Sequence, residues 1–172
     1  MIWKTIGRSV IGSSHIQSGK DCEDAIAYET LTPPGFDGEV LICFASDGAG
    51  SAAYAKEAAT TSVQLATSLA AALVAEQQHI AEDDMLRIAE SVYDRLEALA
   101  AEQEVPKNEY SCTLLGCILL PQQSAFIQIG DGAIVRSDDS GYLSPVFWPQ
   151  NGEYQNATAF LHRIVYMAEN GY

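Results

Sequence analysis

Residues 3–11 alternate loosely between apolar and polar, and a second β-compatible run, 25–28, follows the polar stretch 13–19; this period predicts two short strands. Thr32, Pro33, Pro34, Gly35, Asp37 and Gly38 then make a dense turn cluster. Residues 40–45 (VLICFA) are continuously apolar and too few for a helix, so they read as a buried strand, which stops at Ser46-Asp47-Gly48-Ala49-Gly50. Beyond Ser51 the period lengthens to three and four. Ala55, Ala58, Ala59, Ser62, Ala66, Leu69 and Leu73 share one helical face over 51–77. Met85, Ile88, Val92, Leu96 and Leu99 share another over 84–104, with acids at its start to suit the helix dipole and Pro106 after its end. From Ser111 the short period returns. Runs at 112–120, 125–129 and 133–136 are separated by Pro121-Gln122-Gln123 and Gly130-Asp131-Gly132, and a turn over 138–141 leads to 143–147, a series of antiparallel hairpins.

Strands, then two long helices, then more strands specify an α+β chain rather than a βαβ alternation. Each helix carries one apolar stripe and needs a sheet to cover. The simplest layout packs the two helices side by side on one face of an antiparallel sheet.

Composition narrows the picture. At 172 residues with 48% hydrophobic and 19% charged, the chain is expected to form one globular domain over 1–172, burying about two-thirds of its unfolded surface. Nine basic against 23 acidic residues leave a net charge of −14, which repels phosphate backbones and anionic membrane surfaces and argues against nucleic acid as a partner. The cysteines Cys22, Cys43, Cys112 and Cys117 make no CxxC and no Cys/His cluster, and two of them sit inside apolar runs. Cys112 and Cys117, five apart, would point to opposite faces of one strand. A reduced, cytoplasmic protein is expected. No signal-peptide core and no run of about 18 uninterrupted apolar residues occurs, so neither export nor membrane insertion is expected.

The chemistry concentrates at strand ends. An acid placed directly after a buried strand is held rigidly, and the glycines beside it leave the backbone uncovered. Asp47 with the Gly48 carbonyl therefore reads either as a turn or as half of a site for a hard cation such as Mg²⁺ or Mn²⁺. Asp21-Cys22-Glu23-Asp24 precedes the second predicted strand, and Asp131 occupies a hairpin tip; these acids either converge on Asp47 or are solvated loop acids. The turn Gly48-Ala49-Gly50-Ser51-Ala52-Ala53 also approaches a dinucleotide fingerprint. That reading fails on the second strand and ribose-binding acid it requires about 20 residues on, where a helix runs instead. GxSxG is absent, and His15, His79 and His162 lie in unrelated elements, which leaves a serine-hydrolase triad without support.

In order, the chain reads Glu23-Asp24-Ala25, Phe44-Ala45-Ser46-Asp47-Gly48-Ala49-Gly50, two helices, Ser111-Cys112-Thr113 and Ile129-Gly130-Asp131-Gly132. This order and spacing resemble the metal-dependent (PPM-type, type 2C) serine/threonine protein phosphatases across roughly residues 5–160. Gly12-Ser13-Ser14-His15 and the Asn-x-Thr-x-Phe-Leu element at 156–161 are similar to the compact bacterial group. The resemblance implies an αββα sandwich of antiparallel sheets flanked by helix pairs, and two Mg²⁺ or Mn²⁺ ions bridged by Asp47, with the Gly48 carbonyl on one of them. By the same resemblance Glu23 and Asp24 hold the waters around the ions, Asp131 serves a third, looser ion, and the substrate is a phosphorylated protein whose phosphoserine or phosphothreonine ester is hydrolysed.

The family's metal site also uses two later aspartates, in a Ser-Asp-Gly and an Asp-Asn element, that do not occur before Tyr172, and 162–172 diverges from the family pattern. The sequence is therefore expected to be C-terminally incomplete and slow in catalysis, with a catalytically silent binding or regulatory module as the alternative. Such a chain is expected to expose a sheet edge or apolar face open to self-association. Gly19 stands where the family often has a phosphate-binding arginine, leaving Lys20 or His15 as substitutes.

Overall fold

The computed structural model describes residues 2–147 and, for the backbone alone, the strand at 164–169. The elements run α1 (Ser13–Ser18), β1 (Asp24–Leu31), β2 (Val40–Asp47), α2 (Ala55–Glu76), α3 (Glu82–Glu102), a 3₁₀ turn (Lys107–Tyr110), β3 (Leu114–Leu120), β4 (Gln123–Ile129), β5 (Val135–Ser137), β6 (Leu143–Pro145) and β7 (Ile164–Glu169). Five strands form one antiparallel sheet in the order β1-β2-β3-β4-β7, and β5 pairs with β6 in a separate ribbon. The expected antiparallel α+β architecture is what the chain adopts, with one sheet and the helix layer upon it making up most of the described residues.

Both helices pack on one face of that sheet. Val40, Ile42 and Phe44 of β2, with Leu114, Ile118 and Leu120 of β3 and Ala125, Ile127 and Ile129 of β4, meet Val63, Ala66, Ala70 and Val74 of α2 and Met85, Ile88 and Val92 of α3. The alanines of α2 keep its backbone close to the sheet, since a small side chain is the condition for close approach. By length and composition α2 is apolar enough to cross a membrane, yet its buried face is the sheet-facing one. The link between the helices is pinned to the β3–β4 hairpin. Ile80 N–H donates to Gln123 Oε1 at 2.9 Å, and Gln123 Nε2–H donates back to the Ile80 carbonyl at 2.7 Å, both ends buried. At the start of α3, the Asp84 carboxylate accepts the Ala81 N–H at 2.8 Å, capping a helix that has no Ser, Thr, Asp or Asn at its N-cap.

One local expectation is corrected. Residues 3–11 form no strand: Ile2, Ile6 and Val10 project into solvent, and Trp3 is tethered instead to Glu39 through its N–H, at 2.8 Å to the carboxylate, and its indole, at 3.2 Å to the carbonyl. Alternation without a neighbouring strand to bond to gives no ladder. The polar stretch before β1 is partly helical. α1 lacks any buried residue and so any stripe; it is closed by Gly19 in the left-handed conformation (φ 70°), with Lys20 N–H bonded to the His15 carbonyl at 2.9 Å. The 156–161 element lies outside the described residues, and 164–169, within the divergent end, is the edge strand β7.

Candidate active site

Asp47 is the last residue of β2, and the register sets Asp24, the first of β1, directly opposite it. Gly48 N–H donates to the Glu23 carbonyl at 3.2 Å, which makes Asp24 and Asp47 a non-hydrogen-bonded pair, the kind whose Cα atoms approach to about 4.5 Å and whose side chains lie closest. Two carboxylates so placed repel each other unless a proton or a cation lies between them.

The strand on the other side fixes Asp47. Its N–H donates to Thr113 Oγ1 at 2.9 Å, its carbonyl accepts the Thr113 N–H at 2.8 Å, and the buried Ser46 hydroxyl donates to the Thr113 carbonyl at 2.6 Å. After Asp47 the chain turns against Glu23 and the first turn of α2. A Cβ on Gly48 would come within 2.5 Å of the Ala55 carbonyl oxygen and 2.8 Å of that of Glu23, so only glycine fits here. Gly130 supplies the third arm: at φ 106°, with an added Cβ 2.6 Å from Thr113 Cγ2, it lets the β4–β5 turn pass tight against Thr113. Asp131 follows it.

Asp24, Asp47 and Asp131 thus line one open pocket of about 430 Å³, together with Ser9, Thr113 and Gly132. The Asp47 carboxyl is pushed up to about 6, first by partial burial at the floor of this pocket, then by the adjoining Asp24 and the charge of Asp131; His15 opposes the rise. A more apolar cavity of about 390 Å³ between α3 and the start of β3 has no such convergence of acids.

Glu23, Lys20 and His15 stand beside the aspartates. One Glu23 oxygen pairs with Lys20 Nζ at 3.2 Å, and Lys20 also donates to the Gly50 carbonyl at 2.8 Å. The other, Oε2, is buried with no hydrogen-bond partner and lies 3.7 Å from His15 Nε2. His15 Nδ1–H donates to the Asp21 carbonyl at 3.0 Å, which turns Nε2 toward the site.

A hard divalent cation suits this donor set. An unpartnered buried carboxylate oxygen, two opposed carboxylates and a glycine carbonyl are oxygen ligands of the right type. Among the described residues, however, no three His, Cys, Asp or Glu side chains are gathered tightly enough to hold an ion by themselves. Of the five residues singled out from the sequence, Asp24, Asp47 and Asp131 share the pocket, Glu23 flanks it, and Gly48 forms the turn after Asp47. Thr113, quoted in the sequence only as part of a motif, is the residue that holds the others in register, and its one sequence signal is that motif.

Comparison with known proteins bears on the same residues. Residues 11–165 match the family described as Protein phosphatase 2C. The chain is 32% identical over 167 residues to Serine/threonine-protein phosphatase 3 of Escherichia coli (strain K12), an alignment covering 94% of this chain and 63% of that protein. It therefore spans less than two-thirds of that relative's length. Among solved structures, a bacterial serine phosphatase matches with a TM-score of 0.57 at 11% identity, covering 84% of this chain and 72% of the other. The Mycobacterium tuberculosis serine/threonine phosphatase PstP/Ppp matches with a TM-score of 0.56 at 12% identity, covering 85% and 73%. These two likenesses are of fold. The family match over residues 11–165 shows that the chain belongs to the protein phosphatase 2C family.

Proposed function

We propose that the chain is the metal- and substrate-binding part of a cytoplasmic protein phosphatase that hydrolyses phosphoserine and phosphothreonine esters of proteins with Mg²⁺ or Mn²⁺. The observation that carries this reading is the convergence of Asp24, Asp47 and Asp131, from three separate segments, on one pocket. Asp47 and the Gly48 carbonyl would hold the cation, with Asp131 available to a further ion. A divalent cation bound there supplies Lewis acidity and lowers the pKa of water in its vicinity.

The remaining work falls to this chain's own residues. Thr113 keeps the Asp47 carboxylate aimed at the pocket through its two backbone-directed bonds. Asp24 at the pocket wall and Glu23 beside it would hold waters around the cation. Lys20 brings a positive charge and N–H donors to the side of the site beside Glu23, with His15 Nε2 next to it, in place of an arginine at position 19. The net charge of −14 disfavours a polyanionic partner, so the phosphate is recognised singly, on a peptide.

Phosphate release from a phosphothreonine peptide, measured with and without Mn²⁺ on wild type and Asp47→Ala, tests the reading. Slow but Mn²⁺-dependent release that disappears in the variant supports it. Release that ignores the metal, or survives the substitution, or is absent from wild type at millimolar Mn²⁺, counts against it.

A further inference from the structure

Cys43 and Cys117 lie 74 positions apart in the chain (117 − 43) and are directly opposite each other on the central strands β2 and β3. The register is constant from Leu41–Leu119 to the bridge Gly48–Cys112. The bonds Thr113 N–H to Asp47 carbonyl and Ala49 N–H to Ser111 carbonyl fix its phase, making 47–113, 45–115 and 43–117 hydrogen-bonded positions. Cα atoms at such positions stand about 5.5 Å apart, inside the range of roughly 4.4–6.8 Å that a disulfide spans. Both side chains project from the sheet face opposite the helices, both are half-buried, and both thiols are free.

We propose that Cys43 and Cys117 are a redox modification site, a dithiol that closes to a cross-strand disulfide by exchange with a small disulfide such as oxidised glutathione. Cys43 is the attacking sulfur: the neighbouring Cys117 thiol pulls its pKa down, and it is the less enclosed of the two. Cys117 is pushed up by the Cys43 sulfur and by burial, so it is the resolving thiol. Attack by the Cys43 thiolate forms a mixed disulfide and expels one glutathione thiolate. Cys117 then attacks the Cys43 sulfur, expelling the second. Two protein S–H bonds are lost and one S–S bond is formed; the two electrons and two protons end on two molecules of reduced glutathione.

The other cysteines are placed differently. Cys112 is buried, with Sγ 3.2 Å from the Ser62 hydroxyl, and burial raises its pKa. Cys22 sits beside Asp24 and faces no second thiol among the described residues. The cross-link falls four residues along β2 from Asp47 and four along β3 from Thr113, on the strand pair that carries the candidate site. The pairing rests on the β2–β3 register and stands whether or not the phosphatase reading does.

The test is peptide mapping of the intact 172-residue chain after exposure to oxidised glutathione and an acid quench, without reduction. The expected result is monomeric protein whose titratable thiols fall from four to two, with the Cys43 and Cys117 peptides joined, lighter by two hydrogens, and released by dithiothreitol. Cys22→Ser should leave the cross-link intact and Cys43→Ser should abolish it; if the latter does not fold, the wild-type map decides alone. Retention of all four thiols, glutathione adducts without a Cys43–Cys117 link, another pairing, or a link between two chains would each overturn the proposal.

Discussion

Thr113 grips Asp47 at both ends of its backbone, accepting the Asp47 N–H on Oγ1 at 2.9 Å and donating its own N–H to the Asp47 carbonyl at 2.8 Å. A threonine in place of an ordinary strand residue thus replaces one rung of the ladder with a side-chain bond. The freed Thr113 carbonyl takes the Ser46 hydroxyl. The carboxylate that faces the pocket inherits its direction from this arrangement.

Thr113→Val should therefore weaken both the fold and the site. It keeps the shape but leaves the Asp47 N–H without its acceptor, a loss of about 1–3 kcal/mol. Thr113→Ser restores the oxygen and should recover most of the stability. Urea unfolding of the three proteins, with Mn²⁺ titrations on each, checks this; equal stability of the valine and wild-type proteins would show that the bond contributes nothing.

Partial burial of Asp47, and Asp24 opposite it, make stability depend on pH in a definite sense. The folded-state pKa of Asp47, about 6, lies above the ordinary carboxylate value of 3.8. A raised carboxyl stabilises the fold below its unfolded pKa, and that contribution is lost as pH climbs through about 6. Without metal the wild type should thus lose melting temperature between pH 4 and pH 7 relative to Asp47→Asn, which carries no charge and keeps its backbone bonds. At this solvent-facing position the difference should be no more than about 1 kcal/mol, or about 2–4 °C. Mn²⁺ affinity should move the other way, rising with pH through the same interval as the competing proton leaves. Parallel melting curves for the two proteins at pH 4 and pH 7 would contradict the assignment.

Gly48→Ala should be among the more damaging small substitutions in the chain, because the clashing atoms are backbone oxygens of Ala55 and Glu23 that cannot rotate away. A loss of about 1–3 kcal/mol is expected from overpacking of this type. Ala49→Gly in the same turn serves as the control; the two substitutions having equal effects in thermal melts would remove the steric explanation.

The helices, the sheet they cover and the order of strands were legible because burial imposes period: Met85, Ile88, Val92 and Leu99 recur at helical spacing and all four are buried. What failed was structure without a buried face. α1 has no stripe to read, and 3–11 alternates without a strand to pair with. The aspartates were visible one at a time as strand-end acids. Taken residue by residue, their convergence stayed an open alternative that only the resemblance favoured; it is produced by the β1–β2 register that sets Asp24 against Asp47 and by the Gly130 turn that carries Asp131 to Thr113. Registers between strands separated by two helices leave no local trace, which is also why Cys43 and Cys117 read as two unrelated apolar residues.

The central claim is that Asp47 anchors a divalent cation in the pocket it shares with Asp24 and Asp131. Titrating Mn²⁺ into the 172-residue chain and its Asp47→Ala variant at pH 7.5, with free Mn²⁺ read by its electron paramagnetic resonance signal, tests this most directly. Few carboxylate ligands predict a weak wild-type site, with a Kd of about 10⁻⁴–10⁻³ M, and loss of that site in the variant. Equal Mn²⁺ binding by the two proteins would contradict it.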